Sequence, residues 1–184
     1  GPTLIENIKK QASRFGAEYI PKHIVNCDFS KRPFTLTDTD GKKYQTNIAI
    51  ISTGASAKLL NLPNEKELIG RGVSTCATCD GFFYRNKIVH VVGGGDTAME
   101  DANFISKFAS KVYIIHRKDK FRASKPMQDR TFKNPKIEVI WNSEVTEIKF
   151  DQSGVNGIVV KNLATNESQN RQTDGLFYAI GHTP

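Results

Sequence analysis

The chain has few cysteines and no long apolar run, and both absences limit what it can be. Its 184 residues include only three cysteines, an odd number that does not suit the paired framework of a small secreted protein. No apolar run approaches the roughly 20 residues of a membrane-spanning helix, and no basic start followed by an apolar centre opens the chain. We therefore expect a soluble, cytoplasmic protein without a membrane partner.

The positive charge also lacks the pattern typical of nucleic-acid binding. The net charge is +7, but the 26 lysines and arginines are scattered among 19 acids, and no basic run alternates with aromatic side chains. We expect no nucleic-acid partner, and a solvated surface on which part of the positive charge serves a phosphorylated cofactor. The length suffices for one complete domain plus part of another.

Two of the three cysteines are separated by only two residues, and an acid follows them. Cys76 and Cys79 can close a small disulfide, and a thiol in such a motif ionises near neutral pH. Asp80 is then close enough in sequence to supply or remove a proton. The alternative is a zinc site in which His23 and Cys27 join the pair as ligands. We favour the disulfide because those two residues fall in regular β structure, where Cys27 alone is expected to be a small buried residue.

A strand that ends in a glycine-rich turn follows the cysteines. Residues 88–92 have the pattern of a buried strand, and Gly93–Ala98 then has the form G-x-G-x-x-A and opens a helix. At such a turn a pyrophosphate approaches the backbone amides of a helix N-terminus. The motif alone is weak, but a second strand follows the helix at 112–115. This order is the unit of doubly wound sheets, so we predict an α/β, Rossmann-like dinucleotide-binding domain.

The residues after that second strand indicate which nucleotide binds. In NAD sites an acid about 20 residues after the turn binds the ribose hydroxyls. This chain instead has His116, Arg117 and Lys118, with Arg122 close behind. An acid would repel a 2′-phosphate, whereas guanidinium groups hold it through charge-assisted, bidentate hydrogen bonds. The pattern favours NADPH, the alternative being a solvated basic loop, and the two motifs together suggest electron transfer from a nicotinamide to a disulfide.

The N-terminal part of the chain has a different pattern. Thr3 and Glu6 have the spacing of a capping box, and apolar residues recur at helical intervals until Gly16. Short β-like stretches follow and predict a small antiparallel meander with a turn at 38–41. The apolar run at 48–54 predicts a buried strand that leads into a turn. We place a domain boundary near residue 57.

At these residues the chain resembles the low-molecular-weight thioredoxin reductases. Five motifs stand in the family's order and approximate spacing: 73–84, 93–98, 116–118, 121–123 and 179–184. The resemblance covers the whole chain, and its cysteine motif is the most specific part. It implies a homodimeric flavoenzyme in which NADPH reduces FAD, FAD reduces the disulfide, and the dithiol reduces thioredoxin.

The resemblance also implies roles for particular residues and segments. Cys76 and Cys79 are the redox disulfide, Asp80 is the acid–base residue, and no metal is bound. The residues that match the NADPH site are Gly93, Gly95, Asp96, Thr97, Ala98, His116, Arg117, Lys118 and Arg122. Thr53 and Gly54 match a turn near the flavin. Residues 1–56 correspond to a small antiparallel β meander and helix from an incomplete FAD domain, 57–174 to the NADPH domain, and 175–184 to a strand that returns toward the FAD domain.

The sequence departs from the family pattern at the FAD domain. Family members begin with their own strand and G-x-G-x-x-G turn for FAD and end with a segment that closes the flavin site, and neither is present here. Two hypotheses follow: a thioredoxin reductase represented by its central portion, or a module that binds NADPH but lacks FAD and is inactive as it stands. A related reductase that serves a peroxidase partner is a third. The colour of a bound flavin would separate the first two.

Overall fold

The computed structural model describes all 184 residues of the chain, in two compact units. Gly1–Thr53 form the first unit, and Gly54–Pro184 form the second. The second unit contains a parallel β-sheet with helices, so the predicted α/β class with a Rossmann-like core is confirmed. The predicted boundary near residue 57 falls just inside the second unit.

Helix α1 spans Pro2–Arg14 and begins without the predicted capping box. Its N-cap is Gly1, and Pro2 occupies the first turn, where a missing N–H leaves no hydrogen bond unmade. The helix stops as predicted before Gly16, which has a φ of 83°. The amides of Gly16 and Ala17 donate to carbonyls of the last helical turn. This Schellman arrangement needs a left-handed residue, which glycine supplies without a steric cost.

The predicted meander follows α1 and completes the first unit. Its antiparallel strands are β1 (Ile24–Asp28), β2 (Phe34–Asp38) and β3 (Lys43–Thr46). Asp38 is buried in the turn between β2 and β3, where its carboxylate accepts hydrogen bonds from two loop amides and from the Tyr44 hydroxyl, each at 2.9 Å. Gly41 has a φ of 80°, so the predicted turn at 38–41 is confirmed.

The predicted buried strand at 48–54 is not formed. Residues 48–53 belong to no strand, and Ile48, Ile50 and Ile51 are 74%, 88% and 72% exposed. A buried strand needs a hydrogen-bonding neighbour at its edge and packed layers on its faces. Because the first unit supplies neither to this run, its apolar composition does not bury it.

The second unit is built from three sheets, three helices and one 3₁₀ turn. In chain order its elements are β4 (Ser56–Ala57), β5 (Val73–Ser74), α2 (Ala77–Asp80), the 3₁₀ turn (Gly81–Tyr84), β6 (Ile88–Gly93), α3 (Asp96–Ile105), β7 (Lys111–Ile115), α4 (Lys125–Phe132), β8 (Ile137–Ile140), β9 (Ser143–Asp151), β10 (Gly154–Asn162), β11 (Ser168–Gln172), β12 (Gly175–Ala179) and β13 (His182–Thr183). The two strands predicted around the glycine turn and its helix are β6 and β7, and the predicted helix is α3.

The central sheet is parallel, with the order β5-β12-β6-β7-β8. Strand β12 lies in its interior, paired with β5 on one side and β6 on the other. Residues 175–184, which the sequence analysis sets apart from 57–174, thus begin with a strand of the central sheet. All five residues of β12 are buried, so an interior position is where its apolar sequence is most stable.

The two faces of the central sheet bury two separate cores. Along β6, Val89 and Val91 pack with Ala98 and Ala102 of α3 on one face. Val92 points to the other face and packs with the antiparallel sheet β11-β10-β9. Side chains alternate along a strand, so one short sequence serves both layers. The carboxyl end of β6 is thereby held beside the N-terminus of α3.

Two elements of the second unit carry no clear signal in the sequence. The first, α4, buries only Thr131, so it lacks an apolar stripe. The second, β11, is the polar edge strand SQNRQ, which pairs with β10 of the antiparallel pair β9 and β10. Both elements form because neighbouring structure holds them. None of the helices in the chain combines the length and the apolarity that crossing a membrane requires.

Candidate active site

Cys76 and Cys79 are joined by a disulfide at the start of α2. Their Cα atoms are 5.3 Å apart, and a single short helical turn separates them. Cys76 is the N-cap of α2 and is half-buried, whereas Cys79 is exposed. The Cys79 amide donates to Sγ of Cys76 at 3.3 Å, and the Thr78 hydroxyl lies 3.5 Å from the same sulfur. The Cys76 sulfur thus has two neighbours that can stabilise negative charge when the disulfide opens.

Asp80 is held in place by a serine that sequence reasoning missed. The Ser74 hydroxyl donates to Oδ2 of Asp80 at 2.7 Å and accepts a hydrogen bond from the Cys76 amide at 3.1 Å. Ser74 is buried in β5, the edge strand of the parallel sheet. The carboxylate that we expect to exchange protons with the cysteines is therefore tied to the sheet and to the cysteine turn by one side chain.

Two phenylalanines next to the cysteine turn are exposed. Phe82 and Phe83 lie in the 3₁₀ turn that follows Asp80, and they are 57% and 71% exposed. Their rings contact edge to face, with centroids 6.4 Å apart. A pair of exposed aromatic rings forms an apolar surface close in sequence to the exposed Cys79.

The glycine turn joins β6 to α3 as the sequence predicts. A Cβ at Gly93 would lie 2.8 Å from Cβ of Ala98 and 2.5 Å from the carbonyl oxygen of Ala179. Glycine at this position therefore lets β6, β12 and α3 pack closely. Gly95 is the N-cap of α3, so the first amides of the helix point out of the turn.

Asp96 and Thr97 begin α3, and both are exposed. One carboxylate oxygen of Asp96 accepts hydrogen bonds from the amide and hydroxyl of Ser124, at 2.9 and 2.7 Å. Both bonds lower the pKa of Asp96 below its usual range, and the bond from the hydroxyl has the larger effect. The acid at the helix N-terminus is therefore engaged by the loop that precedes α4, a contact that nothing in the local sequence indicates.

The predicted basic residues lie in the loop between β7 and α4. Arg117, Lys118 and Arg122 are exposed, and none of them takes part in an ion pair of the chain. A terminal guanidinium nitrogen of Arg122 lies 3.9 Å from the position that a Cβ would occupy at Gly95. The structure thus brings Arg122 next to the glycine turn and leaves the charges of the loop unneutralised.

His116 lies at the end of β7 and is buried, unlike the basic residues that follow it. Burial lowers the pKa of its imidazole, and the charges of Arg117 and Lys118 add to that effect. The ring lies against Gly94 and against the aromatic rings of Phe121 and Trp141. His116 is thus enclosed by protein.

The remaining predicted residues lie outside this group. Thr53 is the last residue of the first unit and Gly54 the first of the second, and both are exposed. Cys27 is an exposed free thiol, so the expectation that it is buried was wrong. The structure brings no three or more His, Cys, Asp or Glu side chains into a cluster that could hold a metal ion.

The second unit is thus a Rossmann-like domain with a nucleotide-type turn, a basic loop and a disulfide on the helix that packs against α3. Comparison with known proteins places it more narrowly. The chain belongs to the pyridine nucleotide-disulphide oxidoreductase family, whose model matches residues 3–184.

Individual relatives agree with the resemblance that the motifs predict. The chain is 50% identical over 184 residues to a thioredoxin reductase of Streptomyces coelicolor, covering 100% of this chain and 57% of the relative. It is 48% identical over 192 residues to thioredoxin reductase 2 of Arabidopsis thaliana, covering 100% and 50%. A solved thioredoxin reductase from Giardia duodenalis matches with a TM-score of 0.86 and 39% identity, over 98% of this chain and 59% of that one. The chain therefore spans little more than half the length of these relatives.

Proposed function

We propose that this chain is the nucleotide-binding and dithiol portion of a thioredoxin reductase. In the whole protein, electrons from NADPH pass through FAD to the Cys76–Cys79 disulfide and then to the disulfide of thioredoxin. The net reaction converts NADPH, one proton and oxidised thioredoxin into NADP⁺ and the thioredoxin dithiol. The observation that carries the proposal is the disulfide itself, since its exposed Cys79 lies in the same unit as the glycine turn.

The glycine turn and the basic loop suit NADPH. Gly93–Gly95 present no side chains to a pyrophosphate, and the N-terminus of α3 offers amides and a positive dipole end. Arg117, Lys118 and Arg122 are free of acidic partners and so are available to a 2′-phosphate. NADPH supplies a hydride when bound. The Asp96 carboxylate would repel the phosphates of the nucleotide. Two hydrogen bonds from Ser124 hold this carboxylate and reduce that repulsion.

The cysteine turn suits thiol–disulfide exchange. When two electrons arrive, the S–S bond breaks and leaves one thiolate and, after uptake of one proton, one thiol. The Cys79 amide and the Thr78 hydroxyl favour the negative charge on Cys76. Asp80, positioned by Ser74, is the group that we assign to proton exchange with the sulfurs.

The exposed surface near the disulfide suits a protein substrate. A disulfide in another protein can react only if it reaches the cysteine turn, and that turn exposes Cys79. Phe82 and Phe83 add an apolar patch of the kind that protein partners cover. The relatives named thioredoxin reductase support thioredoxin as this partner. A homodimer and a cytoplasmic location complete the proposal for the whole protein.

The test uses the dithiol without a flavin. The chain is reduced with dithiothreitol, desalted under argon and mixed with excess oxidised thioredoxin. We expect about one thioredoxin dithiol per chain, counted by mass spectrometry after acid quenching and alkylation. Cys76→Ser and Cys79→Ser should each prevent full transfer, whereas Cys27→Ser is the matched control and should transfer normally. No transfer from the unsubstituted reduced chain would contradict the assignment of thioredoxin as substrate.

The alternative is a module that binds NADPH but lacks FAD and does not turn over by itself. It is favoured by one observation: the chain contains a single strand–glycine turn–helix unit, and the loop after that unit is basic. For a flavin the chain offers only the exposed turn at Thr53 and Gly54, so we derive no step through the flavin from this structure. The two functions share the dithiol transfer and differ in flavin retention.

A further inference from the structure

His116 connects the two halves of the proposed NADPH site. Its ring lies so close to Gly94 that a methyl group at that position would overlap it. Its Nε2 atom lies 3.0 Å from the carbonyl oxygen of Lys120, inside the basic loop. A carbonyl oxygen only accepts hydrogen bonds, so Nε2 carries the proton in this contact. One imidazole thus contacts both the glycine turn and the loop.

The imidazole has little room to move away. The centroid of its ring lies 5.4 Å from that of Phe121 and 6.1 Å from that of Trp141, and the two aromatic rings contact each other at 4.4 Å. Only 8% of the residue is exposed. Because burial lowers its pKa, the ring stays neutral at pH 7 and keeps a single N–H for Lys120. A rigid, uncharged ring is therefore a fixed spacer between turn and loop.

The backbone makes the same connection independently. The amides of Arg122 and Ala123 donate to the carbonyl oxygen of Gly94 at 2.8 and 3.2 Å. Ser124 then bonds to Asp96 at the start of α3. The loop therefore leaves β7 at His116 and returns to the glycine turn six residues later, while its basic side chains point into solvent.

We propose that His116 is a positioning residue that sets the loop of residues 117–122 on the glycine turn and thereby matches the spacing of the two anion-binding groups to NADPH. The inference rests on the proposed NADPH function. It assigns to His116 a role inside the protein, in place of the direct contact with the nucleotide that the family pattern implies. The substrate feature that it controls is the 2′-phosphate, because only the basic loop distinguishes NADPH from NADH.

The contact between Gly94 and the His116 ring can also be tested independently, by substitution at Gly94. Eight glycines of the chain have a positive φ that disfavours other residues, and Gly94 is not among them. Its backbone conformation therefore accepts a side chain, and the ring of His116 is what excludes one. Alanine at position 94 should displace the ring, and it should do no further harm once the ring has been removed.

The experiment measures the dissociation constants of NADPH and NADH by calorimetry. For His116→Ala we expect about tenfold weaker NADPH binding and less than twofold change for NADH. His116→Gln keeps an N–H that can reach the Lys120 carbonyl, so it should recover NADPH binding to within about threefold. Gly94→Ala should resemble His116→Ala, but adding it to His116→Ala should cost less than a further twofold. His23→Ala, in the first unit, is the matched imidazole control.

Each outcome decides a separate point. Equal losses for both nucleotides in His116→Ala would overturn the positioning role, because they indicate a direct contact or a general loss of structure. Additive effects of Gly94→Ala and His116→Ala would also overturn it, since the ring would then not be what excludes a side chain at 94. If His116→Ala does not fold, as judged by Trp141 fluorescence, His116→Gln and Gly94→Ala still decide the matter. A failure of the unsubstituted chain to bind NADPH would overturn the proposed function and the inference together.

Discussion

At the scale of single residues, small polar side chains do work that their position in the sequence does not reveal. Ser74 accepts a hydrogen bond from the Cys76 amide and donates one to Asp80. Ser124 donates two hydrogen bonds, one from its amide and one from its hydroxyl, to the Asp96 carboxylate at the start of α3. A serine hydroxyl can donate once and accept twice, so the Ser74 side chain can join two segments of the chain. Both serines support the groups that the motifs identify.

Ser74→Ala tests the support of Asp80. The change leaves the carboxylate without its 2.7 Å donor and the Cys76 amide without its acceptor. A hydrogen bond to a charged group is worth about 1.5 kcal/mol or more, so we expect reduction of the disulfide by dithiothreitol to slow about tenfold. The rate is followed by alkylation of the released thiols, and Ser74→Thr should recover most of it.

The control for this prediction is another buried serine. Ser143 donates to the carbonyl oxygen of Trp141 at 2.8 Å, and Ser143→Ala should leave the reduction rate within twofold. In an Asp80→Asn background, Ser74→Ala should have little further effect, because the two residues act as a unit. Fully additive effects would show that Ser74 does not act through Asp80.

A second residue-scale prediction concerns His90 in β6 and acid stability. His90 is 1% exposed, both ring nitrogens lack hydrogen-bond partners, and burial, with the charge of Arg171, lowers its pKa to about 3. The unfolded chain, with a pKa of about 6.5, binds the proton first, so the stability is complete above that value and is lost as the pH falls toward 3. Between pH 7 and pH 5 this amounts to about 2 kcal/mol.

The measurement compares unfolding in urea at pH 7 and pH 5. The single tryptophan, Trp141, lies in the second unit and reports on its unfolding. The carboxylates also titrate in this range, so the relevant quantity is the difference between the original chain and His90→Leu. We expect the original chain to lose about 2 kcal/mol more than the variant over this interval. Parallel losses would mean that His90 is protonated in the folded chain.

At the scale of elements, we expect the basic loop and the glycine turn to act as one nucleotide-binding element. Strand β6 ends at the turn, His116 directly follows β7, and the loop after β7 returns to Gly94 through two backbone hydrogen bonds. Ligands of open α/β sheets bind at the carboxyl ends of the strands, where these segments meet. We therefore expect the specificity of the proposed site to depend on the loop as a whole.

Arg117→Ala combined with Arg122→Ala tests the loop. Charge-assisted hydrogen bonds contribute about 1.5 to 3 kcal/mol each before desolvation, so the original chain should prefer NADPH over NADH by about tenfold or more. The double variant should lose most of that preference, as measured by calorimetry. Lys66→Ala combined with Lys133→Ala removes the same charge from exposed positions elsewhere and should keep it. Equal affinities of the original chain for the two nucleotides would contradict the assignment.

At the scale of the whole molecule, the two units differ in how well they bury apolar residues. The second unit has two closed cores, one on each face of its parallel sheet. The first unit has none of the large buried residues, and Leu4, Ile5 and Ile8 of its helix are half or more exposed. The dithiol and the proposed nucleotide site both lie in the second unit, so their chemistry can be tested on a well-packed domain.

Flavin retention is the prediction at this scale. Binding FAD requires a glycine turn at a helix N-terminus for the pyrophosphate, and the chain's single such turn is next to the basic loop. We expect the chain to be colourless after incubation with excess FAD and desalting, and to leave NADPH unoxidised when thioredoxin is added. The longer thioredoxin reductase of Streptomyces coelicolor is the positive control for turnover with thioredoxin. A retained flavin spectrum together with turnover would contradict this expectation.

Local patterns determined the elements that depend on a few neighbouring residues. The stop of α1 before Gly16, the turn at 38–41 and the strand–turn–helix at 88–105 were all predicted, because backbone sterics and periodicity act over a turn or two of chain. The cysteine spacing likewise predicted the disulfide. The prediction of a buried strand at 48–54 was wrong, because a local apolar pattern does not show whether other strands or helices pack against it.

Contacts between distant segments were decided only by the tertiary structure. β12 follows the antiparallel strands β9–β11 in the chain but lies in the interior of the parallel sheet. The Ile88 amide donates a hydrogen bond to Asp174 across a separation of 86 residues. Ser124 meets Asp96 across 28 residues, and the ring of His116 determines that position 94 is glycine. The chemistry-bearing residues were visible in the sequence because their types and spacing are characteristic. The residues that hold them were not, because a serine or a histidine gains such a role only from what packing places beside it.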